Sequence, residues 1–327
     1  MKAAVVRRYG PPDVVIVRDV RKPAPAKGEV LVRVHATTVS RTDYGELRPG
    51  FMRIFYGLRR PRRMIFGLDF AGVVEAGGAG TSSFKPGDRV FGMCPITGNG
   101  AHAEYVCVPE AGPIATMPAN VDFDGAVVCE GAYYADAGWK KFNVGPGHKI
   151  LIYGASGAIG IAALQLAKAR GAEVTAVVAT RHLDLVKSLG ADRAVDYTKE
   201  NFTKIGERFD FVFDAVGKAS YFRCRRLLKP GGTFLSTDVG PWMQVLPLTL
   251  LSAIRRNNRV VVALQPRGSA PGFVRFMKGL LEEGKFRAVI DRKYPLEAIA
   301  DAYRYVETKQ ETGIVVITVA AGGDGQS

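Results

Sequence analysis

The residues with the plainest chemical purpose lie in the stretch K-I-L-I-Y-G-A-S-G-A-I-G at 149–160. Ala155, Ser156, Gly157, Ala158, Ile159 and Gly160 form an A-x-G-x-x-G turn, with Ala155 where a first glycine is usual. Gly157 lets a backbone approach a pyrophosphate closely, and Gly160 lets a helix pack tightly on a strand. The free N–H groups and positive dipole end of that helix suit phosphates. About 20 residues further on, where an acid would bind the ribose hydroxyls of NAD, the chain carries Ala179-Thr180-Arg181. The alanine removes repulsion against a 2′-phosphate, and the arginine can grip one through two hydrogen bonds. NADPH is therefore the expected dinucleotide. Hydride chemistry needs positioning of the donor carbon rather than a nucleophile–base pair, so the lack of a triad excludes nothing.

These residues need a strand before the turn and a helix after it. The apolar run 150–153 reads as a buried strand. Ile159, Ala162, Ala163, Leu166 and Ala167 recur at helical spacing over 158–170. From residue 123 onward, apolar runs near 149, 173, 193, 209, 232 and 259 alternate with helical segments. Six such strands predict a doubly wound parallel sheet. The region before residue 123 is β-rich. Residues 1–20 read as two strands joined at Tyr9-Gly10-Pro11-Pro12, and 28–39 as a strand with Val30, Val32 and Val34 on one face. Further strands are expected over 67–76, 84–92 and 101–108. S-R-T-D-Y-G at 40–45 is a polar break that also carries a helix N-cap signature. After 264 the chain predicts a helix (273–283), a strand (288–291), a helix (296–307) and a strand (313–319). The tail 320–327 is too polar and glycine-rich for order.

A chain of 327 residues is long enough for two cores. Cys94, Cys107, Cys129 and Cys224 have no C-x-x-C spacing and read as buried free thiols rather than metal ligands or disulfides. No segment reaches the roughly 18–20 apolar residues of a spanning helix, and no membrane partner is expected. The apolar run 242–254 reads as core or dimer surface. The N-terminus, M-K-A-A-V-V-R-R, meets charge too early for a secretory signal, so a cytoplasmic location is expected. The net charge of +14 gathers in arginine clusters at 59–63, 223–226 and 255–259. These read as solvated basic faces that steer anions; no nucleic-acid motif accompanies them. His35 and His102 fall within strands and read as structural, whereas His148 and His182 look exposed.

The chain resembles the medium-chain dehydrogenase/reductase superfamily, in its zinc-less quinone-oxidoreductase-like branch. The likeness runs through S-R-T-D at 40–43, G-L-D-F-A-G-V-V at 67–74, F-K-P-G-D-R-V at 84–90 and G-A-H-A-E-Y at 100–105. It continues through Y-G-A-S-G-A-I-G, F-D-A-V-G at 213–217, L-K-P-G-G-T at 228–233 and V-I-D-R-K-Y-P-L-E-A-I-A-D-A-Y at 289–303. It implies an α/β protein with a β-rich GroES-like catalytic domain, residues 1–122 and 265–327, and a Rossmann domain, residues 123–264. It also implies an active site in the cleft between them and a homodimer joined near 259–263.

The resemblance further assigns roles. Arg41 matches an arginine on the pyrophosphate, and Thr42 a hydroxyl that contacts the substrate oxygen. Ser40 takes the place of an asparagine in quinone reductases, and Tyr44 lies one residue off a tyrosine of some relatives. Thr42, then Tyr44, then Ser40 are the candidates to polarise the substrate oxygen, with capping as the competing role. Tyr197 stands where relatives contact the 2′-phosphate, Val216 belongs to the cofactor-facing F-D-A-V-G, and Tyr133 and Tyr134 fall in the segment expected beneath the nicotinamide. At the zinc-ligand positions the chain has Ser40, Leu68-Asp69 and Cys129, so no metal is expected. Without a Lewis acid, reduction of quinones or α,β-unsaturated carbonyls is favoured, because conjugation spreads the developing charge. The alternatives are a zinc-less alcohol dehydrogenase or ketone reductase, and a nucleotide-dependent RNA-binding protein.

Overall fold

The computed structural model describes residues 1–50, 53–95, 98–237, 245–254, 259–262 and 270–319. The predicted tail, residues 242–244 of the apolar run and residues 255–258 of the third arginine cluster lie outside them. In chain order the elements begin with β1 (Lys2–Val6), β2 (Val15–Asp19), β3 (Glu29–Val39), α1 (Arg41–Leu47) and α2 (Arg53–Tyr56). Next come β4 (Asp69–Gly77), β5 (Arg89–Met93), β6 (Tyr105–Pro109), β7 (Ile114–Thr116), α3 (Phe123–Ala126) and α4 (Cys129–Lys141). They continue with β8 (Lys149–Tyr153), α5 (Ala158–Ala169), β9 (Glu173–Val178), α6 (Leu183–Ser188), β10 (Arg193–Asp196) and β11 (Phe209–Asp214). The last are α7 (Tyr221–Cys224), β12 (Leu228–Ser236), α8 (Val245–Ile254), β13 (Arg259–Val262), α9 (Ala270–Glu282), β14 (Ile290–Pro295), α10 (Ile299–Glu307) and β15 (Ile314–Thr318).

The chain divides into two compact units, Met1–Glu130 with Gly268–Ser327, and Gly131–Arg267. The first unit holds a seven-stranded sheet of order β14-β15-β3-β4-β5-β7, with β6 also pairing β3, and the separate β1–β2 pair. Its discontinuity has a local cause. β15 pairs antiparallel with the far end of β3, Val315 opposite Val39, so the last strands of the chain complete a sheet begun by residues 29–39. The valines of β3 alternate into the core with Phe66, Phe70, Ile299, Tyr303 and Ile317. The polar break after β3 is helix α1, because Ser40 and Asp43 form a full capping box at its N-terminus.

The second unit is a six-stranded parallel sheet of order β10-β9-β8-β11-β12-β13. From β8 the chain winds outward through β9 and β10, then returns to place β11 on the other side of β8. Register aligns Tyr153 with both Val177 and Asp214, so the turns after β8, β9 and β11 open at one sheet edge, at the switch point. Ligands of open α/β sheets bind at that place. Its core takes Leu151, Val177, Val212, Phe209 and Phe234.

Candidate active site

The turn after β8 is built by three glycines. Gly154 has φ +76, and a Cβ there would sit 2.0 Å from Val216 Cγ2. A Cβ on Gly160 would meet the Gly154 carbonyl oxygen at 2.2 Å and Ala155 Cα at 2.8 Å. Gly154 thus adds a glycine just before the A-x-G-x-x-G pattern, in which Ala155 stands two residues ahead of Gly157. Ala155 itself is fully buried. Gly157 is the N-cap of α5 with ordinary extended backbone and no side-chain cap, and the nearest atom to a Cβ there is 3.9 Å away. The first-turn N–H groups of α5 have no intrahelical partners, so Ala158 and Ile159 present donors beside the open space at Gly157, whose own N–H donates to the Gly154 carbonyl at 3.3 Å. Val216 closes the neighbouring turn. Its N–H and those of Gly217 and Ala219 donate to the buried carboxyl of Asp214 at 3.1, 2.9 and 2.8 Å. Burial pushes that carboxyl up to about 6, while the N–H groups act in the opposite sense.

Thr180, Arg181 and Tyr197 come together because β9 and β10 are parallel neighbours, Val178 opposite Asp196. Tyr197 N–H donates to the Val178 carbonyl at 3.1 Å, and its ring is 48% exposed. Arg181 is exposed, and its Nε donates to His182 Nε2 at 3.1 Å. The Thr180 hydroxyl donates to Asp196 Oδ2 at 2.5 Å. Hydroxyls of Thr180 and Thr198 hold the Asp196 carboxyl below its ordinary value. The Arg181 guanidinium and the Tyr197 ring are the exposed groups at this edge. His182 is buried rather than exposed, and its Nε2 accepts from Arg181 Nε. His148 is half-buried and stacks edge-on against Phe211 at 5.3 Å. Tyr133 is buried and Tyr134 half-buried.

In the first unit, the S-R-T-D segment forms a second constellation. Asp43 is fully buried. Its Oδ2 accepts from Ser40 N at 2.9 Å and Ser40 Oγ at 2.8 Å, and its Oδ1 from Gly67 N at 3.0 Å. Ser40 thus caps α1. Tyr44 donates its hydroxyl to Glu307 Oε1 at 2.6 Å, and Glu307 also pairs with Arg48 at 3.2 Å. That proton is committed to α10, which argues against Tyr44 as the group that polarises a substrate. Arg41 is turned onto Glu311 at 2.5 Å and onto the Lys309 carbonyl at 3.4 Å, so its expected pyrophosphate contact would have to break an existing pair. Thr42 is half-buried, and its hydroxyl bonds the Glu130 carboxyl.

Glu130 was not singled out from the sequence. It is buried, and the Thr42 and Ser40 hydroxyls reach its carboxyl. Burial and the Asp43 charge push that carboxyl up to about 7, against the pull of the two hydroxyls. A lone glutamate after an apolar run carries no signal of this; the signal is three-dimensional. Its N–H donates to Asp69 Oδ1 at 2.9 Å, and Cys129 N–H also bonds Asp69. Asp69 is therefore the cap of α4.

The zinc positions implied by the resemblance do not fit a metal. They offer a hydroxyl, a carboxyl occupied by two backbone N–H groups, and the Cys129 thiol, which burial pushes well up. Among the described residues no group of three His, Cys, Asp or Glu could hold a metal ion. The glycine turn and helix terminus do fit a dinucleotide.

The alcohol dehydrogenase GroES-like domain model matches residues 26–119, and the zinc-binding dehydrogenase model matches residues 189–317. The chain is 32% identical over 329 residues to the NADPH-dependent alkenal/one oxidoreductase, chloroplastic, of Arabidopsis thaliana, covering 97% of this chain and 79% of that one. This chain belongs to the medium-chain dehydrogenase/reductase superfamily, in its quinone-oxidoreductase-like branch. It is 28% identical to the quinone oxidoreductase of Sus scrofa, covering 97% of each. Among solved structures, the quinone oxidoreductase from Coxiella burnetii superposes with a TM-score of 0.86 at 26% identity, covering 98% of this chain and 99% of that one. Membership brings a nicotinamide cofactor and a small-molecule substrate. The expected cytoplasmic location does not stand. Several relatives, the Arabidopsis enzyme among them, are named as chloroplastic, and an early charge in the N-terminus does not decide a compartment.

Proposed function

We propose that this chain reduces quinones or α,β-unsaturated carbonyls by hydride transfer, with NADPH preferred over NADH. Relatives named as quinone and alkenal oxidoreductases support the substrate class. The cofactor preference is supported by Arg181 and Tyr197 at the ends of β9 and β10, with Ala179 where an acid would select NAD. A bound NADPH supplies the hydride. The chain's own residues supply placement and the proton: α5 and its glycine turn hold the phosphates, and Thr42 orients the acceptor oxygen.

The observation that carries the proton step is the Glu130 carboxyl. It is pushed up to about 7 and lies within reach of the Thr42 and Ser40 hydroxyls. Near neutral pH it holds a proton. Thr42 Oγ1 gives its proton to the reduced acceptor and takes one from Glu130, which is reprotonated from water; the net reaction consumes one NADPH and one proton per acceptor. The same reading includes a homodimer joined through β13, an edge strand of its sheet. The test is to titrate the purified protein with NADPH and NADH, then add a quinone, an enone and a saturated ketone. Tight NADPH binding with turnover of the conjugated acceptors is expected. Preference for NADH overturns the role of Arg181, and equal turnover of the saturated ketone overturns the substrate class.

A further inference from the structure

The arginine cluster at 59–63 is not a uniform solvated face. Arg63 points inward and makes a two-bonded pair with Glu46, 2.8 Å on each arm, with both side chains buried. Burial then alternates along the segment. Pro61, Arg63 and Ile65 are buried, whereas Arg62 and Met64 face out beside Arg59, Arg60 and Leu58. The segment is pinned from within. Tyr9 Oη donates to the Gly57 carbonyl at 2.8 Å, Arg62 N to Tyr56 O at 2.9 Å, and Val6 N to Met64 O at 2.7 Å. Gly57 has φ +121, and a Cβ there would meet the Arg60 carbonyl at 2.2 Å, so the turn that presents these arginines is built around a glycine.

The outer face combines two features that rarely meet on a free surface. Arg7, Arg59, Arg60 and Arg62, with Leu58, Pro61 and Met64, line a cavity of about 670 Å³. Among the described residues, no carboxylate pairs with any of these four arginines. Apolar side chains project there too: Leu58 and Met64 of the lining are 71% and 52% exposed, and Ile54, in α2 just before it, is 65% exposed. A soluble anion needs the arginines and has no use for three projecting hydrophobic side chains. A bilayer with anionic headgroups needs both, since apolar side chains enter the acyl boundary while basic ones bind the phosphates.

We propose that the outer face of residues 53–64, with Arg7, docks the protein on an anionic lipid bilayer. This departs from the expectation of no membrane partner, which rested on the absence of a spanning helix; a surface dock requires none. No helix among the described residues is long and apolar enough to cross a membrane. The inference does not depend on the reductase reading.

The full chain is mixed with phosphatidylcholine vesicles with or without phosphatidylserine, and bound protein is measured by flotation. Binding is expected only with the anionic lipid, with loss at high salt. Each arginine near such a surface contributes about fivefold, so Arg59→Gln/Arg60→Gln/Arg62→Gln is expected to weaken binding about a hundredfold. Leu58→Asp is expected to weaken it at constant arginine count. All these side chains are exposed, and retained NADPH binding reports that the variants fold. Three results overturn the proposal. The first is vesicle binding unchanged in either variant. The second is an equal loss in the control Arg223→Gln/Arg225→Gln/Arg226→Gln, in the other unit, which would assign binding to net charge. The third is arginine-dependent binding of inorganic pyrophosphate with no binding to vesicles, which would assign the cavity to a soluble phosphate.

Discussion

Gly157 and Gly160 lie three residues apart in one turn, and their substitution should fail in opposite ways. A Cβ at 160 would stand 2.2 Å from the Gly154 oxygen and 2.9 Å from its carbonyl carbon, both backbone atoms. Favourable contacts begin near 3.5 Å, so β8 and α5 must separate by about 1 Å. Gly160→Ala should therefore cost about 1–3 kcal/mol of stability, in the range of overpacked cores. At 157 the nearest atom is 3.9 Å away and φ is −82°, which any residue adopts. Gly157→Asp even offers α5 a better N-cap than glycine. The fold should keep or gain a few tenths of a kcal/mol. Cofactor binding should collapse. A carboxylate about 4 Å from one phosphate charge, at an effective dielectric of about 20, costs about 4 kcal/mol, close to a thousandfold in Kd. Urea denaturation reads the first quantity and NADPH fluorescence titration the second. A Gly157→Asp protein that binds NADPH within tenfold of the parent would remove the phosphates from the α5 terminus. A Gly160→Ala protein as stable as the parent would refute the packing argument.

Glu130→Gln should leave NADPH binding intact, lower kcat, and abolish the fall in kcat that the parent shows as pH rises through about 7. The same shift bears on stability. A carboxyl raised from 4.5 to about 7 in the folded state contributes fully below the unfolded value and loses its contribution as pH rises through 7. The Gln variant should therefore melt higher than the parent above pH 7, by an amount that vanishes near pH 4, in thermal scans across pH. Arg181→Ala should weaken NADPH about ten- to a hundredfold and leave NADH within twofold, the loss expected of one charge-assisted contact, by parallel titrations. Arg63→Met leaves the Glu46 carboxyl, which burial already pushes up, without its partner. It should cost about 3–5 kcal/mol, read by urea denaturation. Arg63→Met/Glu46→Leu should recover most of that loss.

The order of strands and helices was legible because it rests on short-range pattern. The valines of β3 alternate, the helix after Gly157 repeats at 3.6, and the six runs from residue 149 onward recur between helical segments. Ala179-Thr180-Arg181 could be placed just after a strand for the same reason, and a parallel sheet brings the ends of adjacent strands to one edge. What pattern could not reach was how polar side chains divide their few hydrogen bonds. Thr180 spends its proton on Asp196 and Tyr44 on Glu307, while Asp69 accepts from the N-terminus of α4, and each partner is remote in sequence. Spacing also gave no sign of the role of Gly154, whose φ of +76 and close approach to Val216 exist only in the fold. The arginine run looked uniform as letters, yet a buried Glu46 draws Arg63 inward and leaves its neighbours facing water. Glu130 is the sharpest case. Its chemistry depends on burial beside Asp43 and on two hydroxyls from the N-terminus of α1, and neither dielectric nor neighbours are written in one dimension.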